Sequence, residues 1–410
     1  MFRVVIIAAA AFAVLYIALD FNALYALRAN QNTGLYLQSI VDFVRTGSTF
    51  DQPDGKPHLF VHDQWLVYLA LGGPVAWLPR PETLIVCQEV ALAAAAIPLF
   101  LFARACGAPV RPAAALAVAF LLSPSVQGWA YDGFVAEDLI PVVAFSLALA
   151  VRARSLPWTL VAACLLLGTK EDEIWFLMWL GALGAVWFDR RLGLAVFTLA
   201  VVNGAVYYAL TLHFGFLPEH PRYGIVDLQW PQQLTFLVEM LVPLGFAPLC
   251  LGRRLFVALP FLAELFLSQD RTYPLYHTGS FYTVPLVTLA ALATAYVTGL
   301  RPRFGAYAFG GAAAMALLFN NASVLHLGRR PFSLDPQYAA ARSWAITSQP
   351  IDFPCEDVGA WTVASPDLRA RLVGCGHPVH RPTRPAWRDE PLGATAAWTR
   401  GAPLTARANR

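Results

Sequence analysis

Apolar residues run in long unbroken blocks along most of this chain, and polar residues gather in the short gaps between them. A helix needs about 20 apolar residues to cross the hydrocarbon core of a bilayer. Scanning for such blocks predicts about eleven spans, at 2–19, 83–104, 110–126, 138–151, 156–169, 173–188, 192–212, 233–251, 255–269, 280–299 and 304–321. Pro, Gly or charged residues bound them. The first block could be read as a signal peptide, but no small-x-small cleavage site precedes Asp20, so it is taken as a helix. The stretch 62–79 is apolar enough to suggest a further span, yet it holds Gly72, Gly73, Pro74 and Pro79 and is read as an interfacial or re-entrant helix.

The connections differ by side. With Met1 in the cytoplasm, the cytoplasmic connections hold Arg3, Arg104, Arg111, Arg152, Arg154, Arg190, Arg191, Arg253, Arg254, Arg301 and Arg303 against a single acid, Asp189. Arg and Lys are retained on the cytoplasmic side of short loops, which sets the N-terminus inside. The first outer loop, 20–82, is then long. In it Tyr36, Ile40, Phe43 and Val44 recur at helical spacing opposite Gln38, Asp42 and Arg45, predicting a short amphipathic helix at the membrane surface.

Composition agrees. The chain is 58% hydrophobic and 13% charged, with mean hydropathy +0.54 and net charge +3. Soluble domains are nearer 25% charged. An ordinary soluble enzyme, a disordered regulator and a nucleic-acid binder are excluded; no polybasic patch interleaved with aromatics is present. The predicted fold class is an all-α polytopic membrane protein, with a transmembrane domain over 1–321 and a Pro-, Arg- and Trp-rich extracytoplasmic tail over 322–410. The tail suggests a small α/β-like unit: helices near 337–344 and 366–372 and a strand near 358–363. If oxidised, Cys355 and Cys375 would close a loop of about 20 residues and contribute roughly 3 kcal/mol.

The outer side collects the residues that could carry chemistry. Lys170-Glu171-Asp172-Glu173 joins two short apolar runs, and could hold a divalent cation or a hydroxyl-rich ligand; it could equally be a solvated turn. Tyr131-Asp132 and Glu137-Asp138 lie at another tight turn, where Glu137 has a plain explanation as a helix cap. His62 beside Asp63 offers a general base or a metal ligand, against the commoner case of an exposed loop histidine. Glu89, Glu239 and Glu264 lie inside spans, and Gln88 and Tyr282 could line a polar cavity. No phosphate-binding loop, zinc-protease helix or nucleophile elbow occurs.

The order of these motifs resembles the bacterial membrane proteins of domain of unknown function 2079, thought to be a distant branch of the GT-C glycosyltransferases. The family's Asp-Leu-Gly-x-Phe-x-Gln is matched by Asn32-Thr33-Gly34-Leu35-Tyr36-Leu37-Gln38. Its histidine before a Pro-bearing helix is matched by His62 and Pro74, and its glutamine by Gln88. Pro98-Leu99-Phe100 with Ala103-Arg104, Lys170-Glu171-Asp172, and Tyr282 with Pro285 also fit, so the resemblance covers about 20–370. It implies a membrane glycosyltransferase that takes a polyprenyl-phosphate sugar on the outer face of the inner membrane, with membrane lipids as its surroundings and a divalent metal ion as a candidate cofactor. Asp63, Asp132 and His62 are then the catalytic candidates, and Lys170, Glu171, Asp172, Asn32, Gln38, Gln88 and Tyr282 bind substrate, with Lys170 on the donor phosphate. The chain departs twice. Asn32 stands where the family has an acid, and Tyr131-Asp132 stands where it has Phe-His, so the acid would come from Asp63, Asp132 or Asp20. The rival reading is a transporter or a lipid-binding or assembly scaffold with the same fold.

Overall fold

The structure, a computed structural model, describes residues 1–25, 31–47, 62, 64–131, 133–214, 230–267, 280–319, 351–352 and 372–373. Fifteen α-helices occur among the described residues. They are α1 (Phe2–Tyr25), α2 (Gln31–Thr46), α3 (Trp65–Trp77), α4 (Pro81–Ala94), α5 (Ala96–Ala105), α6 (Val110–Leu122), α7 (Pro124–Tyr131) and α8 (Ile140–Arg152). There follow α9 (Leu156–Leu167), α10 (Asp172–Trp187), α11 (Arg190–His213), α12 (Trp230–Leu241), α13 (Leu259–Leu267), α14 (Val284–Leu300) and α15 (Arg303–Ala314). Proline opens several of them, at the first positions of α4, α8, α9 and α14, where its missing N–H has no intrahelical partner to lose. Asp189 caps α11, its side chain accepting from the N–H groups of Arg191 and Leu192 at 3.0 and 3.1 Å.

The chain is an all-α multi-pass membrane protein. Among the described residues four helices are long and apolar enough to cross a bilayer: Phe2–Phe21, Pro81–Ala105, Arg190–His213 and Phe281–Leu300. Two bent pairs raise the count to six, Val110–Leu122 with Pro124–Tyr131 (45°) and Trp230–Leu244 with Ala247–Leu267 (120°). Several of the other expected spans are shorter as helices than as apolar runs. The run at 138–151 opens with a 3-10 turn (Ala136–Leu139), and the one at 255–269 passes from a 3-10 segment ending at Ala258 into the α-helix Leu259–Leu267. The 62–79 stretch is a helix of 13 residues. At 1.5 Å per residue that is about 20 Å, short of the ~30 Å core.

Small residues set the packing. Along α10 and α11, a Cβ on Gly181 would run into the backbone of Phe197, and one on Gly193 into that of Ala185, so the two helices touch backbone to backbone. Alanines fill much of the main core, among them Ala96, Ala103, Ala113, Ala117 and Ala119, around Phe120, Trp129 and Phe145. α2 forms as expected, but its buried apolar residues are Leu37, Ile40 and Val41, packed with Val67, Tyr68 and Leu71 of α3; Val44 is exposed. It is therefore docked on protein along that face. In the tail, Ile351–Asp352 (β1) and Leu372–Val373 (β2) pair in parallel, so Leu372 belongs to a strand and not to the expected helix end. The remaining tail elements, the 358–363 strand, Cys355 and Cys375 fall outside the described residues.

The two ends of the bundle carry different charges. The Phe2 and Phe100 rings meet at 5.6 Å, bringing Arg3 to the end where α5 stops at Ala105. Arg152 is within electrostatic reach of Cys106, Gly299 lies on the Cys106 carbonyl, and Arg254 donates to Tyr296 Oη at 2.8 Å. One end thus gathers the arginine turns. The acids of 136–139 and 170–173 gather at the other.

Candidate functional site

The site is assembled by a turn that glycine makes possible. α9 ends at Gly168, where a Cβ would run into the indole of Trp65, the first residue of α3. The Leu66 N–H donates to the Gly168 carbonyl at 2.8 Å, and Thr169 Oγ1 donates to the Leu166 carbonyl at 2.6 Å. This seats the start of α3 on the α9–α10 turn and brings His62 beside Glu171, 109 residues away in sequence. The prediction is direct. Gly168→Val should force Trp65 aside at an overpacking cost of about 1–3 kcal/mol, read as a lower thermal-unfolding midpoint in detergent.

His62 Nδ1–H donates to Glu171 Oε1 at 3.0 Å; the imidazole is 28% exposed and the carboxylate 9%. Burial pushes the imidazole down, but the Glu171 charge and hydrogen bond outweigh it and hold His62 above its ordinary value. With the Nδ1 proton committed to a carboxylate, Nε2 is the nitrogen that takes up a proton. Next to this pair Lys170 Nζ contacts Asp172 Oδ2 at 2.9 Å and Glu137 Oε1 at 3.1 Å, and lies 4.9 Å from the centre of the Tyr282 ring. Burial penalises the ammonium, but Asp172, Glu137 and Glu171 together hold it well above the usual lysine range. Gln64 Nε2 donates to Tyr36 Oη at 2.8 Å. Burial, then the Glu137 charge, push the Tyr36 phenol well above its ordinary value, so it stays a neutral hydroxyl. Glu264 of α13 is within electrostatic reach of the same group.

The sequence motifs meet here in part. His62, Lys170, Glu171, Asp172 and Tyr282 converge. Asn32 lies in the first turn of α2, and the following Thr33 accepts at Oγ1 from the Phe134 N–H at 2.9 Å, tying the 32–38 motif to the 133–139 turn. Gln38 lies in α2, its side chain outside the described ones. Gln88 is placed in another layer: its amide donates to the Trp129 carbonyl at 3.3 Å, and Trp129 Nε1 donates to the Ser280 carbonyl at 3.0 Å. Asp63 and Asp132 fall outside the described residues. Glu137, for which a helix cap stood beside a functional role, is a direct partner of Lys170, and Gln64 and Tyr36 join the site without having been singled out as polar contacts. Among the described residues no three His, Cys, Asp or Glu side chains are arranged to hold one metal ion.

Charge and hydrogen-bond supply define what the site can receive. Glu137, Glu171 and Asp172 face one lysine and one histidine, and the ammonium of Lys170 is already shared by two carboxylates. Two further buried acceptors, Gln64 Oε1 and Glu173 Oε1, have no donor among the described residues. The unspent capacity is for accepting hydrogen bonds, which suits a hydroxyl-bearing ligand.

Residues 23–219 match the model of a family described as a predicted membrane protein, domain of unknown function 2079. The matched stretch contains His62, Glu137 and Lys170 through Asp172. No curated protein and no solved structure matches the chain.

Proposed function

We propose that this chain is a membrane glycosyltransferase that moves a sugar from a polyprenyl-phosphate donor to a hydroxyl acceptor on the outer face of a bacterial inner membrane. In this reading the bundle crosses about eleven times, with the shorter helices included, the arginine end in the cytoplasm and the 322–410 tail outside. The observation that carries the reading is the His62–Glu171 contact at 3.0 Å, set beside Lys170 at the acid-rich end of an otherwise apolar bundle. His62 takes the proton of the acceptor hydroxyl at Nε2 as that oxygen attacks the anomeric carbon. The bond from that carbon to the donor phosphate breaks, and the phosphate leaves with its electron pair. Glu171 orients the imidazole and stabilises its protonated form. Lys170 holds Glu137 and Asp172 as fixed acceptors for sugar hydroxyls, a different role from contact with the donor phosphate. Tyr282 supplies an aromatic face, and Asp63 or Asp132 adds a further acid.

The test is transfer by the purified full chain in proteoliposomes, from radiolabelled polyprenyl-phosphate hexoses to membrane glycolipid. Loss of a positioned general base costs typically 10²–10⁴-fold, and a fall of about that size is expected for His62→Gln at normal protein level. Equal transfer by the wild type and by His62→Gln, Glu171→Gln and Asp63→Asn would leave the proposal without support. Transport of the lipid without transfer would favour the transporter reading.

A further inference from the structure

A second polar layer lies inside the bundle, apart from the Lys170 cluster. Asp20 of α1, Glu89 of α4 and Asp138 of the Ala136–Leu139 turn are buried, 3%, 0% and 0% exposed. Both carboxyl oxygens of Glu89 are buried and have no hydrogen-bond donor among the described residues, and Gln88 Oε1 beside it is in the same condition. Charges reach Glu89 from two elements, Asp20 on α1 and Asp138 on the turn. The other helices packed on α4, namely α2, α3, α5, α7 and α8, bring no charge to bear on it among the described residues.

A bare carboxylate without a donor is costly in a dry interior, and two more carboxyl groups of the same sign raise that cost. Hydrogen-bond supply gives the same answer independently of charge. The unpartnered atoms of Glu89 and Gln88 are acceptors, and one proton on the Glu89 carboxyl turns one of them into a donor. A shared metal ion is not an alternative among these groups, since no three such side chains come together for one.

We propose that Glu89 is a proton-binding residue, carried as a neutral acid between Asp20 and Asp138, and that this layer is a proton site within the membrane domain. Asp138 and Glu137 are neighbours on one 3-10 turn. Glu137 contacts Lys170 at 3.1 Å while Asp138 acts on Glu89, so the turn carries one acid into each layer. Loading or releasing the Glu89 proton changes the charge next to the turn that braces Lys170. This inference does not depend on the transferase reading.

The experiment is infrared spectroscopy of the full chain in lipid nanodiscs at neutral pH, in the carbonyl-stretch region of protonated carboxylic acids. The wild type should show protonated-carboxyl absorption that shifts down in D2O, and Glu89→Gln should remove one component of it, a component that Glu173→Gln and Glu264→Gln leave in place. Asp20→Asn and Asp138→Asn should move it in frequency. A wild-type spectrum without such absorption overturns the proposal, and so does absorption that Glu89→Gln leaves unchanged. Should Glu89→Gln fail to accumulate, the neighbouring variants decide: a band that stays fixed in both does not belong to Glu89. None of these readouts involves sugar transfer, so failure here is distinct from failure of the proposed function.

Discussion

Lys170→Met is expected to destabilise the folded protein by about 3–5 kcal/mol, the usual consequence of removing one partner from a buried ion pair. Its ammonium, with the side chain 13% exposed, is shared by Glu137 at 6% and Asp172 at 23%. Taking it away leaves two carboxylates close together with Glu171 and Glu173 nearby, in a place where water cannot fully solvate them. The sign of the pH dependence follows from the direction of the shift. A lysine held above its ordinary range contributes stability that is complete below about pH 10.4 and is lost only as pH rises through the raised value. The wild type therefore keeps this contribution throughout the neutral range. The deficit of Lys170→Met should be largest at neutral and alkaline pH and shrink in acid, where the stranded carboxylates take up protons. Adding Glu137→Gln should restore part of the loss, because it removes a charge and not only a contact. Thermal unfolding in detergent across pH measures all three. A flat, small deficit, unaffected by Glu137→Gln, would mean that the cluster is solvated and the lysine is a surface residue.

How far such a cluster can be read from sequence depends on how local its causes are. The Lys170–Asp172 contact spans two residues, and the grouping of those charges between two apolar runs was visible as a low polar turn. The helical character of α2 and the shortness of 62–79 were legible for the same reason: periodicity and Gly/Pro punctuation are local signals. Glu137 was not legible. An acid just before a helix has a sufficient local explanation as a cap, and only the docking of the 136–139 turn against 168–172 gives it a lysine instead. His62 was paired in sequence with Asp63, its neighbour; in the fold its Nδ1 proton goes to Glu171, because Gly168 lets Trp65 pack flush against the α9–α10 turn. The spans long enough as single helices are fewer than the apolar runs for a different physical reason. Hydropathy measures where a segment would partition, not where its helix stops. The bends at Ser123 and near Gly245, and the 3-10 turns at 136–139 and 247–258, cut continuous apolar runs into pieces of 8 to 13 residues. Gly245, at φ 59°, is one such break written in the sequence, since a left-handed residue suits glycine and its Cβ would meet Tyr307.

Activity and stability should respond to pH in opposite directions around His62, and that opposition separates a base from a brace. The Glu171 contact raises the His62 value above the ordinary histidine range, about 6.5. A cation stabilised in this way contributes folding stability that is fully present below about pH 6.5 and disappears as pH rises through the raised value. A general base works only when neutral, so transfer should be low below the raised value and rise through it. Wild-type stability is thus expected to decline over the same interval in which activity climbs. Glu171→Gln removes the charge and weakens the hydrogen bond while leaving the burial. Burial alone favours the neutral imidazole, so the acid limb of the activity profile should move to lower pH even as the maximal rate falls. His62→Gln should abolish the limb and flatten the corresponding slope in stability. If Glu171→Gln lowers the rate but leaves the limb where it was, His62 is not the group that takes the proton, and the acid at position 63 or 132 becomes the candidate base.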